Sequence, residues 1–406
     1  MSPRPSRAAL PVLLLASTLA VMAGAMITPV LEVIRGDLGV SGTAAGLIIT
    51  AHGLAIAVTS PVVGRLIDRH GVRGPLAGGL VLYGVAGAAG LVIDDYLPLI
   101  LSRFVFGAGA AAVFSGTTVA LLALYQGPER DRVMGWRSTA TSLGGVVWPL
   151  VGGALGGLSW HAPFAVYLVG VPIGLATLAA LPKAAAGPSG GGGGVLALLR
   201  DRPALLGYYG LQAVSAVLLY GVAVFLPQRL AEVGVEAPFL VSLYTVAMMG
   251  AMSLVGLAYA GMRAAAGYRT LLSAAAVAWV VSFVLLGTVD QPWLLLLAPL
   301  LFGAGQGIAF PALTVLVGEA APPELRGQAT SLSGTANFAG QFLSPLLLGP
   351  VIGATSLTTG FLAAAGLSAV VLLGLVRLRE PAAPTTGNPS TSGQDTSVNG
   401  KETRSA

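Results

Sequence analysis

The sequence contains no cysteine and little charge, since Asp, Glu, Lys and Arg make up 9% of its 406 residues. Without cysteine the chain forms no disulfide, thiol nucleophile or thiolate metal site. A soluble domain carries about 25% charged residues, so this chain has too few to cover a water-facing surface. Hydrophobic residues reach 55% and the mean hydropathy is +0.84, which together indicate an integral membrane protein.

The sequence also lacks the patterns of an enzyme. It shows no metal-ligand cluster, no nucleophile–base set and no phosphate loop. The glycine-rich stretches FGAG and GPSGGGGG lack the strand–turn–helix context of a nucleotide site. A net charge of +5 does not predict nucleic-acid binding here, because the basic residues lie in short segments between apolar runs. We therefore expect no cofactor, no metal and no nucleic acid, and a lipid bilayer and a small-molecule substrate as partners.

Long apolar runs dominate the chain. A helix that crosses the bilayer core needs roughly 20 apolar residues. Twelve runs fit this description: 10–31, 44–66, 75–93, 97–124, 132–156, 163–181, 204–230, 239–262, 268–288, 292–318, 327–352 and 356–378. None alternates like a membrane β-strand, so the predicted fold class is an all-α membrane protein. The first run continues to Pro29, which favours a span over a signal peptide.

The distribution of basic residues predicts the orientation. Of the 21 Lys and Arg residues, Arg103 lies within a span, and only Arg35 and Arg229 fall on the side away from the two termini. All the others fall on the side of the termini. Because cytoplasmic loops are enriched in Lys and Arg, both termini are predicted to be cytoplasmic in a multi-pass protein of the cell inner (plasma) membrane.

Two polar segments divide the predicted spans into domains. Residues 182–203, which contain GPSGGGGG, predict a flexible cytoplasmic linker between six spans at 1–181 and six at 204–379. Residues 380–406 have few apolar residues and predict a disordered cytoplasmic tail.

Short motifs recur at an offset of 196 residues, which indicates two repeats. FGAG occurs at 106–109 and again at 302–305. The same offset relates Gly71 and Arg73 to Gly267 and Arg269, and Gly144, Pro149 and Gly153 to Gly340, Pro345 and Gly349. Each half keeps the same direction through the membrane, so these are parallel repeats. Transporters with such repeats move two bundles about a site at their interface.

A charged segment, GRLIDRHGVRG at 64–74, follows the second span and is predicted to be a cytoplasmic loop. Asp68 within it can pair with an arginine or accept N–H groups from a helix N-terminus. The alternative is an ordinary basic loop with no function of its own.

Three motifs resemble those of the major facilitator superfamily. Gly64, Asp68, Arg69, Gly71 and Arg73 match its signature G-x-x-x-D-R-x-G-R/K-R/K. RFVFGAGAA at 103–111 is similar to its fourth-helix motif. GGVVWPLVGG at 144–153, which includes Gly152, resembles the fifth-helix motif of its drug/proton antiporter branch, the branch of multidrug and metabolite efflux. The resemblance implies two six-helix bundles related by a pseudo-two-fold axis, acting as a monomer.

The chain departs from the family pattern at several positions. Trp148 stands where the family usually has glycine before Pro149, and its bulk is expected to alter the packing of the fifth helix. Asp68 maps to Ala264 in the second repeat, so the family's charged gate is expected on one side only. By resemblance, Asp68 would meet the start of the eleventh helix near Arg326, together with Arg137 on the fifth, and would close the cytoplasmic side.

Few ionisable groups lie at membrane depth, where they are functional candidates. The GAMITP stretch of the first span lacks the acidic residue that many proton-coupled exporters carry there. Arg103 could act through a partner such as Asp94, Asp95 or Glu32. His52 could titrate instead, since its free pKa is about 6.5. Arg103 could also be structural or bind an anionic substrate, and His52 could be a neutral core histidine bonded to a backbone carbonyl.

The resemblance assigns the cavity lining to the first, fourth, seventh and tenth helices. The polar and aromatic candidates, including two on the eleventh helix, are Thr28, Gln212, Tyr220, Gln306, Asn337 and Gln341. Each could instead form an interhelical hydrogen bond, worth about 0.6 kcal/mol on average. Such a lining suits amphipathic compounds that are neutral or anionic.

The functional expectation is a secondary transporter that exports drug-like or metabolite compounds by rocker-switch alternating access, coupled to proton antiport. The alternative is a facilitator or symporter that takes up a small polar metabolite. A receptor or scaffold on the same fold is a third hypothesis, and an enzyme is not expected.

Overall fold

The structure is a computed structural model and describes residues 8–182, 199–322 and 325–377. Within these ranges the chain is helical, with turns and no strand. Most of the predicted linker and the whole predicted tail lie outside the described residues, as do Arg4, Arg7 and Lys183. The predicted domain boundaries therefore stay predictions.

Twelve long helical segments follow one another within the described ranges. We number them α1 Ala9–Asp37, α2 Gly42–His70, α3 Arg73–Leu91, α4 Tyr96–Leu124, α5 Gly127–Gly156, α6 Ala162–Ala180, α7 Ala204–Glu232, α8 Pro238–Ala265, α9 Tyr268–Thr288, α10 Pro292–Ala320, α11 Arg326–Ala354 and α12 Leu357–Arg377. All the predicted spans are helices, and ten of these described segments are long and apolar enough to cross a membrane. The other two, α5 and α11, are as long but begin with polar turns.

Three of the described segments are interrupted, and in α10 the break is at Leu296, between Pro292–Leu295 and Leu297–Ala320. In α1 a 3-10 turn at Thr28–Val30 separates Ala9–Ala25 from Leu31–Asp37, because Pro29 has no N–H to continue the helical ladder. In α6 a 3-10 turn at Val166–Val169 separates Ala162–Ala165 from Gly170–Ala180.

The predicted loop at 64–74 is mostly helix, which corrects the sequence interpretation. The helix α2 runs on to His70, and α3 begins at Arg73. The charged residues therefore extend α2 beyond its apolar part instead of ending it. Gly71 ends the helix with a φ of 74°, a conformation that glycine adopts without steric cost.

The two halves pack their helices in the same pattern. In the first half α1 contacts α5, α2 and α3 contact α4, and α3 contacts α6. In the second half α7 contacts α11, α8 and α9 contact α10, and α9 contacts α12. The predicted arrangement of two like six-helix bundles is thus confirmed.

The repeated FGAG motif explains part of this pattern. A Cβ on Gly107 would lie 2.5 Å from the carbonyl oxygen of His52 on α2, and a Cβ on Gly303 would collide with that of Met248 on α8. His52 and Met248 are themselves related by the repeat offset. Glycine is required at both positions because the helix backbones touch there.

The second glycine of the motif serves the neighbouring helix. Gly109 lies against Gly79 and Tyr83 of α3, while Gly305 lies against Ala275 and Trp279 of α9. Each pair of contacts again obeys the repeat offset, so the recurrence of FGAG reflects one packing solution used twice.

Candidate transport pathway

The two halves meet mainly along two helix pairs, with smaller contacts of α7 and α8 on α1 and of α7 on α2. We call the α2–α11 contact the first seam and the α5–α8 contact the second seam. Because α1 starts and α12 ends on the same side of the molecule, we call that side the terminal face and the other the opposite face.

The first seam is tight at the opposite face. Gly349 packs on Thr43, and a Cβ on Gly46 would lie 2.7 Å from Pro345. Deeper in, a Cβ on Gly53 would lie 2.9 Å from the Gln341 side chain. The contacts advance along α2 as they retreat along α11, so the two helices run antiparallel in a fixed register.

The second seam repeats this geometry. A Cβ on Gly153 would lie 2.7 Å from the carbonyl oxygen of Pro238, at the start of α8. Deeper in, a Cβ on Gly145 would lie 3.6 Å from Met249. The repeat offset relates Gly153 to Gly349, and Met249 to Gly53. In both seams, small residues therefore allow close contact near the opposite face.

Both seams are open at the terminal face. In the first seam, Gly53 faces Gln341 and the two helices run antiparallel. Fifteen residues further along α2 and fifteen residues back along α11, Asp68 is therefore level with Arg326. Both residues are exposed, and no ion pair joins them among the described residues. In the second seam, Gly135 and Gly261 have nothing within 4 Å of a Cβ placed on either residue. The described structure is closed at one end and open at the other.

The remaining residues of the signature motif lie around the open end. Arg69 is exposed, and a Cβ placed on Gly64 would meet no atom of another helix within 4 Å. Arg137 on α5 is half-buried, and its Nε has no hydrogen-bond partner in the described part of the chain. Arg73 turns away from the other half and donates to the carbonyl of Leu178 at the end of α6.

The second repeat makes the same contact as Arg73. Arg269, at the start of α9, donates to the carbonyl of Val376 at the end of α12. A guanidinium at a helix C-terminus satisfies carbonyls that have no partner within the helix. Arg73 and Arg269 therefore hold each half together, which accounts for their recurrence at the repeat offset.

Five polar residues of the second half form what we call the amide ladder: Gln212, Ser215, Gln306, Asn337 and Gln341. Ser215 Oγ donates to Gln306 Oε1 at 2.9 Å, joining α7 to α10. Gln212 Nε2 donates to Asn337 Oδ1 at 3.5 Å, joining α7 to α11. The Oε1 atom of Gln212 is buried and has no partner among the described residues. The sequence singled out four of these residues and missed Ser215.

The buried serine and threonine hydroxyls described in the first half form no comparable group. Buried Ser17, Thr28, Thr50 and Thr117 each bond the carbonyl four residues earlier in their own helix. Thr28 therefore bonds Gly24 instead of presenting a free hydroxyl. Tyr220 of the second half lies close to Gly24, since a Cβ there would be 3.8 Å from its Cε1.

His52 joins the first half to the ladder. Its Nε2 lies 3.2 Å from Gln341 Nε2, which also donates to the Ile49 carbonyl at 3.4 Å. The imidazole is 3% exposed, and its Nδ1 has no partner within the described residues. The ring is thus a core histidine that contacts a side chain of the other half.

Arg103 is fully buried inside the first half. Its Nη2 donates to the carbonyls of Ala86 and Gly87 at 2.9 Å, where the regular helix of α3 gives way to a 3-10 turn. Its Cζ lies 5.1 Å from the ring centroids of Phe106 and Phe164. Arg103 thus closes a helix end and stacks on aromatic rings, and it does not reach the surface.

The structure does not bring Arg103 to the carboxylates suggested as its partners. Glu32 pairs with Arg35, and Asp94 pairs with His161 at 3.2 Å. Glu32 also lines a cleft of about 250 Å³ at the opposite face. Among the described residues, no aspartate or glutamate is buried.

Trp148 is accommodated without separating α5 from α1. Gly144 still packs on Thr18, and Gly152 packs on the carbonyl of Met26. The indole Nε1 of Trp148 donates to the Thr18 carbonyl at 3.1 Å. The expected change in packing is therefore an added hydrogen bond beside Pro149.

Two tyrosines hold α1, and neither was predicted from the sequence as a functional residue. Tyr83 of α3 donates to the Leu19 carbonyl at 2.7 Å, and Tyr167 of α6 donates to that of Ala23 at 3.1 Å. Both contacts lie just before the break in α1. Tyr83 and Trp279 are separated by the repeat offset, so both repeats have an aromatic residue at this position. This recurrence could have identified Tyr83 from the sequence.

The chain is all-helical and has two like halves, which are open between them at one face and closed at the other. This is the architecture of membrane transporters built from repeats. The chain belongs to the Major Facilitator Superfamily, whose profile matches residues 13–268 and 255–404. It is therefore a transporter and not an enzyme.

Two curated relatives are efflux-type proteins by name. The chain is 30% identical over 139 residues to "Quinolone resistance protein NorA" of Staphylococcus aureus. It is 28% identical over 139 residues to "Multidrug resistance protein 1" of Bacillus subtilis. Each match covers 34% of this chain and 36% of the relative, so the chain spans about a third of the length of these relatives.

Solved structures share the fold at low identity. A point mutant of the nucleoside transporter NupG superposes with a TM-score of 0.76 at 15% identity, covering 91% of this chain and 99% of that one. The D-xylose-proton symporter gives a TM-score of 0.76 at 16% identity, covering 91% and 97%. These likenesses establish the all-α fold alone.

Proposed function

We propose that this transporter exports drug-like or metabolite compounds by rocker-switch alternating access, coupled to proton antiport. The substrate class is inferred from the amide ladder. Its Gln212 Oε1 atom is buried and has no hydrogen-bond partner among the described residues. A buried acceptor without a partner costs free energy, which a ligand's donor group can recover.

The rest of the interior supports a substrate that is amphipathic and not strongly cationic. The buried serine and threonine hydroxyls of the first half are bonded within their own helices, so they present no free hydroxyl to a substrate. No buried carboxylate in the described residues offers a counter-charge to a polyvalent cation.

The direction of transport is proposed from likeness. The two curated relatives are named for drug resistance, and the fifth-helix motif resembles that of the drug/proton antiporter branch. The excess of Lys and Arg on the terminal side makes that face cytoplasmic. The structure then corresponds to an inward-open state of a monomer in the cell membrane.

The signature motif is proposed to close the cytoplasmic face in the other state. The register of the first seam brings Asp68 level with Arg326 when the helix ends meet. A carboxylate facing an arginine, at the start of α11, gains both an ion pair and the favourable end of the helix dipole. Arg137, Arg69 and Gly71 belong to the same face.

A drug-susceptibility panel that includes quinolones tests the proposal in cells expressing the protein. Wild type is expected to raise resistance to at least one amphipathic compound, and Gln212→Leu to remove that resistance. Gln228→Leu, on the same helix but at the opposite face beside Gly42, serves as the matched control.

Inverted membrane vesicles then test direction and coupling. Uptake of the same compound into the vesicles, dependent on a pH gradient, is expected. Gradient-independent uptake would refute the antiport. Accumulation by intact cells without resistance would support the alternative of an uptake facilitator or symporter.

A further inference from the structure

The two seams carry different side chains at corresponding depth. In the first seam, Gly53 of α2 faces Gln341 of α11, and His52 adds a hydrogen bond to that amide. In the second seam, the corresponding pair is Met249 of α8 and Gly145 of α5, and Met248 replaces His52. A polar contact at this depth between the described halves is therefore found in one seam only, and one of its two partners is a histidine, a side chain that can carry a proton.

We propose that His52 is the group that binds and releases the coupled proton, and that its hydrogen bond with Gln341 links this proton to closure of the first seam. The inference rests on the proposed antiport and assigns its coupling residue. His52 lies at the contact between α2 and α11, which must separate when the opposite face opens.

The geometry explains how a proton would affect the seam. The neutral imidazole has one donor and one acceptor nitrogen, and Nε2 bonds the Gln341 amide while Nδ1 has no partner among the described residues. In a doubly protonated ring both nitrogens are donors, so Nε2–H faces the Gln341 amide nitrogen, itself a donor, and Nδ1–H has no acceptor among the described residues of the closed seam. Separation of α2 and α11 at the opposite face would let water solvate both.

The charged groups around His52 also oppose its protonation while the seam is closed, because the nearby charge is the positive one of Arg103. From α4, Arg103 stacks on Phe106, and the imidazole meets the same ring at 5.6 Å. From α11 comes the neutral Gln341, and from α3 comes Tyr83, whose hydroxyl is donated to Leu19. From α7, Arg229 is held at the opposite face by Glu232 and Asp290.

Linkage then gives the cycle. A ligand stabilises the state that binds it better, so a proton from the opposite side favours the state open to that side. When the seam closes again, His52 returns to a site without an acceptor, and the proton is released to water at the terminal face, which is open in that state. The proton thus moves opposite to the exported compound, as antiport requires.

The absence of cysteine allows a direct test in the full-length protein. Gly135→Cys and Gly261→Cys introduce two labelling sites across the open end of the second seam, where a side chain meets nothing within 4 Å. Spin-label distances between them are measured in liposomes from pH 8 to pH 5, with no substrate. Acidification is expected to increase the population with the short distance, in which the terminal face is closed.

The variants distinguish a proton site from a structural contact. His52→Gln keeps a hydrogen-bonding side chain but cannot titrate, and it is expected to abolish the pH response. The chain has two other histidines, His70 and His161, so His70→Gln and His161→Gln are the matched controls. Both are expected to keep the pH response. Gln341→Glu supplies an acceptor and a counter-charge within the closed seam, and it is expected to flatten the response while His52 remains.

A pH response that persists in His52→Gln, or one that is absent from wild type, would overturn the proposal. The assay needs no substrate, so its outcome is independent of whether export is seen. Export with no pH response refutes the assignment of His52. A pH response that depends on His52, with no export, refutes the proposed function instead.

Discussion

The two seams have the same backbone geometry but different chemistry. Gly349 and Gly153 bring α11 and α5 against α2 and α8 at corresponding positions. Along the first seam the side chains are polar or charged, from the His52–Gln341 contact to Asp68 at the open end. Along the second seam, Met249 faces Gly145, and the residue corresponding to Asp68 is Ala264.

This difference shows how a duplicated scaffold can divide its work. The glycines that permit close approach occur in both repeats, because both seams must close in the same way. His52 and Asp68, the groups proposed to bind the proton and to pair with Arg326, occur in the first repeat only. We therefore expect the first seam to control the switch and the second to follow it.

Asp68→Asn is expected to reduce transport the most, by about tenfold or more, a change of about 1.4 kcal/mol. The amide keeps the size of the side chain but removes the charge that would face Arg326 when the terminal face closes. Transport into inverted vesicles is measured at equal amounts of inserted protein.

The second seam offers a matched control for Asp68→Asn. Ala264→Asn introduces the same amide at the corresponding position of α8 and is expected to leave transport unchanged. Equal losses in both variants would contradict the division of roles between the seams.

Gly153→Leu is expected to prevent full closure of the opposite face. Its Cβ would lie 2.7 Å from the Pro238 carbonyl, and overpacking of this kind costs about 1–3 kcal/mol. The population should shift toward the state with a closed terminal face, seen as a shorter distance between labels at Gly135→Cys and Gly261→Cys.

Gly157→Leu is the control for this substitution, one turn further along the chain, directly after α5. Gly157 is exposed, and the nearest atom to a Cβ there is an oxygen of its own turn at 3.4 Å. We expect its distance distribution to match that of wild type. A wild-type distribution in Gly153→Leu would instead show that the second seam does not need close contact.

The sequence predicted the helices and the repeat well because both leave periodic signals. Twelve apolar runs identified the twelve helices, and the 196-residue offset identified Gly107 and Gly303, which make corresponding contacts. It did not predict that α2 continues to His70, because a polar helical extension looks like a loop when only apolar residues are counted.

The partners of the buried polar residues were less predictable. Arg103 bonds backbone carbonyls, which every residue possesses, so its sequence neighbours carry no sign of the contact. His52 and Gln341 lie in different halves of the chain, and only the register of the seam brings them together. The cavity and gate assignments stay predictions until variants are measured.

Arg103→Ala is expected to reduce stability more than transport. The guanidinium donates to two buried carbonyls, and a hydrogen bond to a charged group contributes about 1.5–3 kcal/mol. The melting temperature in detergent should fall, while the correctly folded fraction keeps the pH response of the label distance. A lost pH response at unchanged stability would instead make Arg103 part of the coupling.

Arg229→Ala is the counterpart in the second half. Arg229 bonds the carbonyls of Leu286 and Val289 at the end of α9, just as Arg103 closes α3, although the two arginines lie on different helices. We expect a similar fall in melting temperature. Each half would then need an arginine at this helix end, supplied from whichever neighbour is in reach.

Trp148→Phe is expected to have the smallest effect, because it removes one hydrogen bond beside the second seam and leaves most of the ring packing. The lost bond to Thr18 is worth about 0.5–1.5 kcal/mol. At the corresponding position of α11, Ser344 donates to the Val217 carbonyl of α7 at 2.7 Å, so Ser344→Ala is the matched variant. Ser344 is fully buried and Trp148 is only partly so, and for this reason we expect the larger fall in melting temperature for Ser344→Ala. The opposite order would mean that the indole, absent from the family pattern, contributes more to the α1–α5 contact than its hydrogen bond accounts for.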